Sequence, residues 1–141
     1  MAALHNYLSI ADLERAARKR LPACVRGYVC GGTEDGASLD ESLNAFSHLG
    51  FVPRGLCNVQ HRSTATALWG QTYALPMGFA PTGFSAIVMK ECDAALAKVA
   101  REQQLPFIIS GASTVPLERL QQENDNRCWY QAYLPGNMAR I

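Results

Sequence analysis

A short apolar run that ends in turn residues, Pro76-Met-Gly-Phe-Ala-Pro-Thr-Gly83, is the first of three similar runs in the second half of the sequence. The second is Pro106-Phe-Ile-Ile-Ser110, and the third is Cys128-Trp-Tyr-Gln-Ala-Tyr133. The intervening residues 91–104 and 114–124 have helical patterns. The order β-α-β-α-β predicts right-handed crossovers and a parallel sheet.

Two α/β architectures are compatible with this order. An open doubly wound sheet fits the length of 141 residues, but its usual glycine-rich nucleotide turn is absent. A (β/α)₈ barrel needs about 250 residues and places its chemistry at the carboxyl ends of the strands. All three predicted strands end in uncharged polar or small residues, which taken singly are ordinary turn chemistry. Together they suit a neutral, flat, hydrogen-bonding ligand such as a flavin ring, and so favour the barrel.

The first half of the chain is predicted to hold three short helices. Ser9 can cap a helix over 10–20, and Pro22 can open a second that ends at Cys30 before two glycines. Ser38-Leu-Asp-Glu41 fits a capping box for a third helix through Phe46.

A β-hairpin is predicted over 64–75, with Gly70-Gln71 as its turn. On the helix at 91–104, one inward face is predicted, comprising Cys92, Leu96, Val99 and Ala100. On the next helix, Thr114 is the predicted cap, and Leu117 and Leu120 should face inward.

Composition excludes several classes of protein. The net charge is +1, which gives no electrostatic basis for binding nucleic acid. Five cysteines without a C-x-x-C motif indicate neither a disulfide framework nor a zinc site, and no metal is expected. Reduced thiols and the absence of a signal-peptide pattern favour a cytoplasmic protein.

Several motifs resemble one family in the right order and spacing. Tyr28-Val-Cys-Gly-Gly-Thr-Glu-Asp35 resembles the Y-x-x-G-G/A-x-E/D-D/E signature of FMN-dependent 2-hydroxy-acid dehydrogenases and oxidases. Phe51-Val-Pro-Arg-Gly-Leu56 is similar to the F-x-P-R/K-x-L segment of that family. The three apolar runs resemble the family's first three barrel strands.

The resemblance implies a fold and an activity. The fold is the N-terminal part of a (β/α)₈ TIM barrel, with about three of eight strands. Residues 1–63 would form a helical segment and connector, 64–75 the hairpin, and 76–141 the first βαβαβ of an incomplete domain. The activity is the FMN-dependent oxidation of a small L-2-hydroxy acid to its 2-oxo acid.

The resemblance also implies roles for seven residues. Tyr28 should donate its hydroxyl to the substrate carboxylate, and Tyr133 should face the substrate beside the flavin as the catalytic residue of this chain. The flavin should be held by the backbone of Pro81, Thr82 and Gly83 and by the side chains of Ser110 and Gln131. For each of these residues the alternative is an ordinary structural role, such as packing or a turn.

This sequence departs from the family at two positions. Gly111 stands where the family usually has Thr, which should loosen the flavin edge. Gly83 stands where many oxidases have Ala, which leaves room near flavin N5 and favours a dehydrogenase that passes electrons to an acceptor other than oxygen.

The family's active-site His, Arg and Lys come from later strands, as do its phosphate-binding loops. His5, His48 and His61 lie outside the strand ends, and none is assigned as the base. The chain alone is therefore expected to be inactive.

Two other functions stay open at this point. One is a non-catalytic half-barrel that folds only with a partner chain, and the other is a different FMN barrel such as an isomerase. The resemblance implies that the complete parent protein is a homo-oligomer, namely a tetramer. Some relatives attach peripherally to the inner face of the membrane.

Overall fold

The computed structural model describes residues 4–134 and 136. The chain divides into two compact units, Met1–Cys57 and Asn58–Ile141. In the described part of the chain, no helix has the length and apolar character needed to cross a membrane.

The first unit is helical. Its α-helices are α1 (Ile10–Arg20), α2 (Ala23–Cys30) and α3 (Ala37–Asn44), with 3₁₀ turns at Leu4–Asn6 and Ala45–His48.

Ser9 caps α1 as predicted, and it does so through a full capping box. The Ser9 hydroxyl accepts a hydrogen bond from the Asp12 backbone N–H at 3.2 Å, and the Asp12 carboxylate accepts from the Ser9 N–H at 2.9 Å. The bonds from Ser9 and the Leu8 backbone hold the pKa of Asp12 below its ordinary value.

The predicted capping box of α3 is wrong. The helix begins one residue before Ser38, so the Ser38 hydroxyl lies inside the first turn. Gly36 is the N-cap with φ +82°, and the Asp35 carboxylate accepts from the Ala37 N–H at 3.2 Å. The left-handed backbone that glycine permits at this cap decided the start of the helix.

No side chain over 5–57 is buried, although the unit contains many large apolar residues. Phe51 and Leu56, for example, are fully exposed. The three helices therefore do not form a hydrophobic core of their own.

The second unit carries the remaining elements. They are β1 (Thr66–Leu68), β2 (Gln71–Tyr73), a 3₁₀ turn at Ser85–Ile87, α4 (Cys92–Glu102), β3 (Ile108–Ile109), α5 (Leu117–Glu123) and β4 (Trp129–Tyr130).

The hairpin of β1 and β2 lies within the predicted range, but its turn is one residue earlier than predicted. Leu68 pairs with Gln71, so Trp69 and Gly70 are the turn residues. Both have positive φ, at +46° and +78°, as a type I′ turn requires. The Trp69 ring lies 4.5 Å from that of Trp129, which links the hairpin to β4 and accounts for a bulky residue in a strained position.

The three apolar runs lie side by side and parallel, as predicted, but the paired segments are short. β3 pairs with β4, and the first run is reduced to a single bridge between Phe79 and Phe107. A Cβ on Gly78 would lie 2.5 Å from the carbonyl oxygen of Pro106. Glycine is therefore required where the first two runs approach each other.

Both crossover helices pack their small or leucine side chains on this sheet. The buried core comprises Ala94, Ala97, Ala100, Phe107, Ile109, Val115 and Leu120.

The predicted inward faces are correct only in part. Ala100 is buried and Leu96 packs on the core, but Val99 is 42% exposed, because the buried face of α4 is centred on its alanines. On α5, Leu120 is fully buried, whereas Leu117 in the first turn is 42% exposed.

Thr114 is not the cap of α5. The helix starts after Pro116, whose fixed φ suits a helix entry.

Candidate functional site at the strand ends

The parallel pairing brings the carboxyl ends of the second and third runs together. The Gln131 N–H donates to the Ile109 carbonyl at 2.9 Å, which extends the ladder beyond β4. The side chain of Gln131 then meets Ser110, which is buried, with 3.3 Å between Ser110 Oγ and Gln131 Oε1. These two predicted flavin ligands therefore form one hydrogen-bonded pair.

The amide of Gln131 has a fixed orientation. Its Oε1 accepts from the Gly111 backbone N–H at 3.2 Å as well as from Ser110. Because the carbonyl end is held by the protein, the Nε2 end is left to donate to a ligand carbonyl. Ser110 is held in turn, since its Oγ accepts from the Ala112 N–H at 3.1 Å.

The first strand end lies against the second. The Phe84 N–H donates to the Ala112 carbonyl at 3.3 Å. A Cβ on Gly83 would lie 3.3 Å from Cβ of Ala112 and 3.7 Å from Oγ of Ser110. Gly83 thus borders the Ser110 site, and the space beside its α-carbon faces Ala112.

The other two predicted backbone ligands precede Gly83 in the same loop. Thr82 is exposed, and its hydroxyl donates to the Ala80 carbonyl at 3.4 Å. Pro81 has no N–H, so its carbonyl is the only backbone group it can offer to a ligand.

Tyr133 lies beside the pair of Ser110 and Gln131, and its side chain is 73% exposed. Its ring covers Gly111: a Cβ on that glycine would lie 2.8 Å from Tyr133 Cδ2. The glycine was expected to loosen the flavin edge, but the space that its missing side chain leaves is occupied by this ring.

Tyr28 belongs to the first unit. It lies on α2, and its side chain is 64% exposed. An exposed hydroxyl on a helix is accessible to a ligand.

Sequence reasoning missed a buried carboxylate behind the strand ends. Asp93 in α4 accepts hydrogen bonds from the hydroxyls of Ser85 and Ser113. An acidic residue in the first turn of a helix is common for electrostatic reasons, so nothing in the sequence indicates that this one is buried.

The histidines and thiols do not add to this site. His5, His48 and His61 are exposed. All five cysteines are free, and burial raises the pKa of Cys128 to about 11. Burial and the neighbouring Asp93 carboxylate also raise the pKa of Cys92. Neither of these two thiols is activated as a nucleophile.

Residues 17–141 match the family described as FMN-dependent dehydrogenase. The chain belongs to this family. FMN is the cofactor of the family. Solved structures similar to the chain are those of FMN-dependent TIM-barrel enzymes, so the barrel interpretation is favoured over the open doubly wound sheet.

Among curated relatives, (S)-mandelate dehydrogenase of Pseudomonas putida is 31% identical over 92% of this chain and 33% of the relative. The 4-hydroxymandelate oxidase of Amycolatopsis orientalis is 35% identical over 91% of this chain and 36% of the relative. The chain thus spans about a third of the length of these relatives. A crystal structure of mandelate oxidase matches 95% of this chain and 39% of its own, with a TM-score of 0.88 and 34% identity.

The strand ends fit the isoalloxazine ring of FMN. They present a buried hydroxyl, an oriented amide and backbone groups, and the ranges 80–83, 110–113 and 131–133 contain no charged residue. A flat ring with several carbonyl and N–H groups needs neutral hydrogen-bonding partners of this kind.

Proposed function

We propose that the protein carrying this chain oxidises a small L-2-hydroxy acid to its 2-oxo acid with FMN as the electron acceptor. Support comes from the family membership and from relatives named for mandelate or lactate. The observation that carries the proposal is the orientation of Gln131, whose carbonyl is held by Gly111 and Ser110 at an uncharged strand edge.

Bound FMN supplies the two-electron chemistry. The residues of this chain hold and orient the flavin ring and the substrate. In this proposal the Nε2 group of Gln131 and the Ser110 hydroxyl bind the edge of the isoalloxazine ring. The backbone of Pro81, Thr82 and Gly83 lines it. Hydrogen-bonding groups of these five residues, spread over three strand ends, would fix the ring in one plane.

Tyr133 and Tyr28 are proposed to bind the substrate. Tyr133 lies next to the flavin ligands, and its exposed ring can cover a substrate placed there. The Tyr28 hydroxyl would donate to the substrate carboxylate, a charge-assisted bond that fixes which face of the substrate carbon points to the ring.

The three parallel runs are proposed to be the first three strands of the barrel. The strand ends and the residues beside them contain no histidine, and we expect the general base to come from elsewhere in the enzyme, as the family resemblance implies. Residues 1–141 alone are therefore expected to lack turnover, since a general base contributes about 10²–10⁴ in rate.

A flavin titration of the flavin-free protein tests the proposal. Gln131→Leu removes the amide and leaves the Gly111 N–H without its partner, so we expect FMN affinity to fall about tenfold. Gln122→Leu on the exposed side of α5 is the matched control and should bind FMN normally. Equal affinity of the two variants, or no FMN binding by the unmodified protein, would show that the site is wrongly assigned.

The dehydrogenase preference, the tetramer and the cytoplasmic or membrane-peripheral location stay predictions. The dehydrogenase preference is supported by Gly83, which adds no methyl group to the proposed flavin site.

A further inference from the structure

Asp93 is a buried carboxylate that joins two loops. Its side chain is 5% exposed, and it lies in the first turn of α4. Oδ1 accepts from the Ser85 hydroxyl at 2.5 Å, and Oδ2 accepts from the Ser113 hydroxyl. Each oxygen thus binds a different segment of the chain.

Both serines lie within three residues of a proposed flavin-lining residue. Ser85 comes two residues after Gly83, and Ser113 comes three residues after Ser110. Ser113 is further tied to its own loop, because its N–H donates to the Ser110 carbonyl at 3.1 Å. Movement of either serine would therefore move a loop that lines the flavin.

The two loops touch each other through a single backbone hydrogen bond, from the Phe84 N–H to the Ala112 carbonyl at 3.3 Å. The Phe84 backbone is in the left-handed region, with φ +51°, which is a strained conformation for a bulky residue. One long hydrogen bond is weak support for such a turn. The Asp93 bridge supplies two further bonds behind it.

We propose that Asp93 is a positioning residue that fixes the spacing between the loops over 80–85 and 110–113, and through them the flavin ring. This inference rests on the proposed function. A buried carboxylate is costly unless it is well hydrogen-bonded, and a stable packing contact could be made by apolar residues. A bridge between the two flavin-lining loops accounts for a carboxylate at this position.

Two substitutions at Asp93 separate the effect of losing its hydrogen bonds from the effect of changing the size of its side chain. Asp93→Ala removes both acceptors and leaves the Ser85 and Ser113 hydroxyls unpaired. Asp93→Asn can keep the bridge, with its carbonyl towards Ser85 and its amide donating to Ser113. The Ser113 hydroxyl then turns to the Val115 carbonyl, which already lies at 3.3 Å.

Asn124→Ala is the matched control. Asn124 is 2% exposed, and its amide donates to the Ala97 carbonyl at 2.9 Å, so its loss also removes a buried polar contact with α4. Asn124 follows α5 and precedes β4, at the opposite end of the sheet from the strand ends. Both alanine variants should be destabilised, but only one should affect the flavin.

The experiment combines FMN titration with amide hydrogen exchange of the flavin-free, full-length protein. We expect Asp93→Ala to bind FMN about tenfold more weakly and to exchange faster over 80–85 and 110–113. Asp93→Asn and Asn124→Ala should match the unmodified protein in both measurements at these loops. Ser113→Ala, which removes one of the two bonds, gives a milder second test if Asp93→Ala does not fold.

Equal loop exchange in Asp93→Ala and Asn124→Ala would overturn the inference without reference to flavin. Equal FMN affinity of these two variants would also overturn it. Failure of the unmodified protein to bind FMN would instead overturn the proposed function, so the two failures are distinguishable.

Discussion

The ring of Tyr133 lies directly over the α-carbon of Gly111. A Cβ on Gly111 would lie 2.8 Å from Tyr133 Cδ2, 3.0 Å from Tyr133 Cε2 and 3.0 Å from the Gln131 carbonyl oxygen. Real Cβ atoms essentially never approach at 2.8 Å, so any side chain at 111 must displace the ring. The Tyr133 ring can therefore occupy this position only because residue 111 is a glycine.

Gly111→Ala should accordingly destabilise the protein and move Tyr133. Overpacking of a core costs about 1–3 kcal/mol in the free energy of unfolding, and because the exposed Tyr133 ring can move aside, we expect a loss near the lower end of that range. If Tyr133 contacts the substrate, KM for the 2-hydroxy acid should also rise. Urea unfolding and steady-state kinetics of the full-length protein measure the two effects.

A double-mutant cycle with Tyr133→Ala identifies the ring as the cause. Removing the ring leaves only the tight contact with the Gln131 carbonyl, so Gly111→Ala should cost less in that background. Gly55→Ala, at a glycine with nothing within 4 Å of the added Cβ, is the control. Strict additivity of the two substitutions would contradict the pairing.

Tyr28→Phe should raise KM with a smaller effect on kcat. Loss of one hydrogen bond to a carboxylate is expected to weaken substrate binding roughly tenfold. Tyr7→Phe, in the same unit but outside the Tyr28 motif, should leave both constants unchanged. Normal kinetics for Tyr28→Phe would exclude the proposed role.

Leu120→Ala tests the core of the second unit. Leu120 is fully buried among the alanines of α4 and the strand residues, so its truncation should lower the free energy of unfolding by about 2–5 kcal/mol. Leu117→Ala, on the largely exposed first turn of the same helix, should cost much less. Similar losses from the two variants would mean that α5 packs through a different face.

Alkylation of the cysteines depends on pH. Burial raises the pKa of Cys128 to about 11, so below that pH its thiol is mostly protonated and unreactive. Its rate of reaction with iodoacetamide should climb about tenfold for each pH unit up to that value. Cys24, which is exposed, serves as the comparison in a peptide-mapping experiment. Rapid labelling of Cys128 in the folded protein at neutral pH would contradict its burial.

The sequence predicted the order of the elements and the family, because apolar runs, helix caps and motifs are local features. The cap at Ser9 is an example, since the hydroxyl of Ser9 and the N–H that it accepts from lie within four residues. The predictions that were wrong concern features that depend on backbone conformation or on contacts between residues distant in sequence. The start of α3 depends on the positive φ of Gly36, and the hairpin turn lies at Trp69, whose ring contacts that of Trp129.

The same distinction applies to the site. Ser110 and Gln131 were predicted as ligands of one ring, and parallel pairing makes them direct neighbours. Asp93 was not predicted, because its buried hydrogen bonds are made with two serines that are 8 and 20 residues away in sequence. A carboxylate in the first helical turn looks the same in sequence whether solvent or hydroxyl groups surround it.

The most direct test is to mix the flavin-loaded, full-length protein anaerobically with (S)-lactate or (S)-mandelate and record the visible absorbance of the flavin. We predict that the yellow colour bleaches with at least one of these acids and that the matching 2-oxo acid accumulates. A firmly bound flavin that stays oxidised with both acids would contradict the assignment as a 2-hydroxy-acid oxidoreductase.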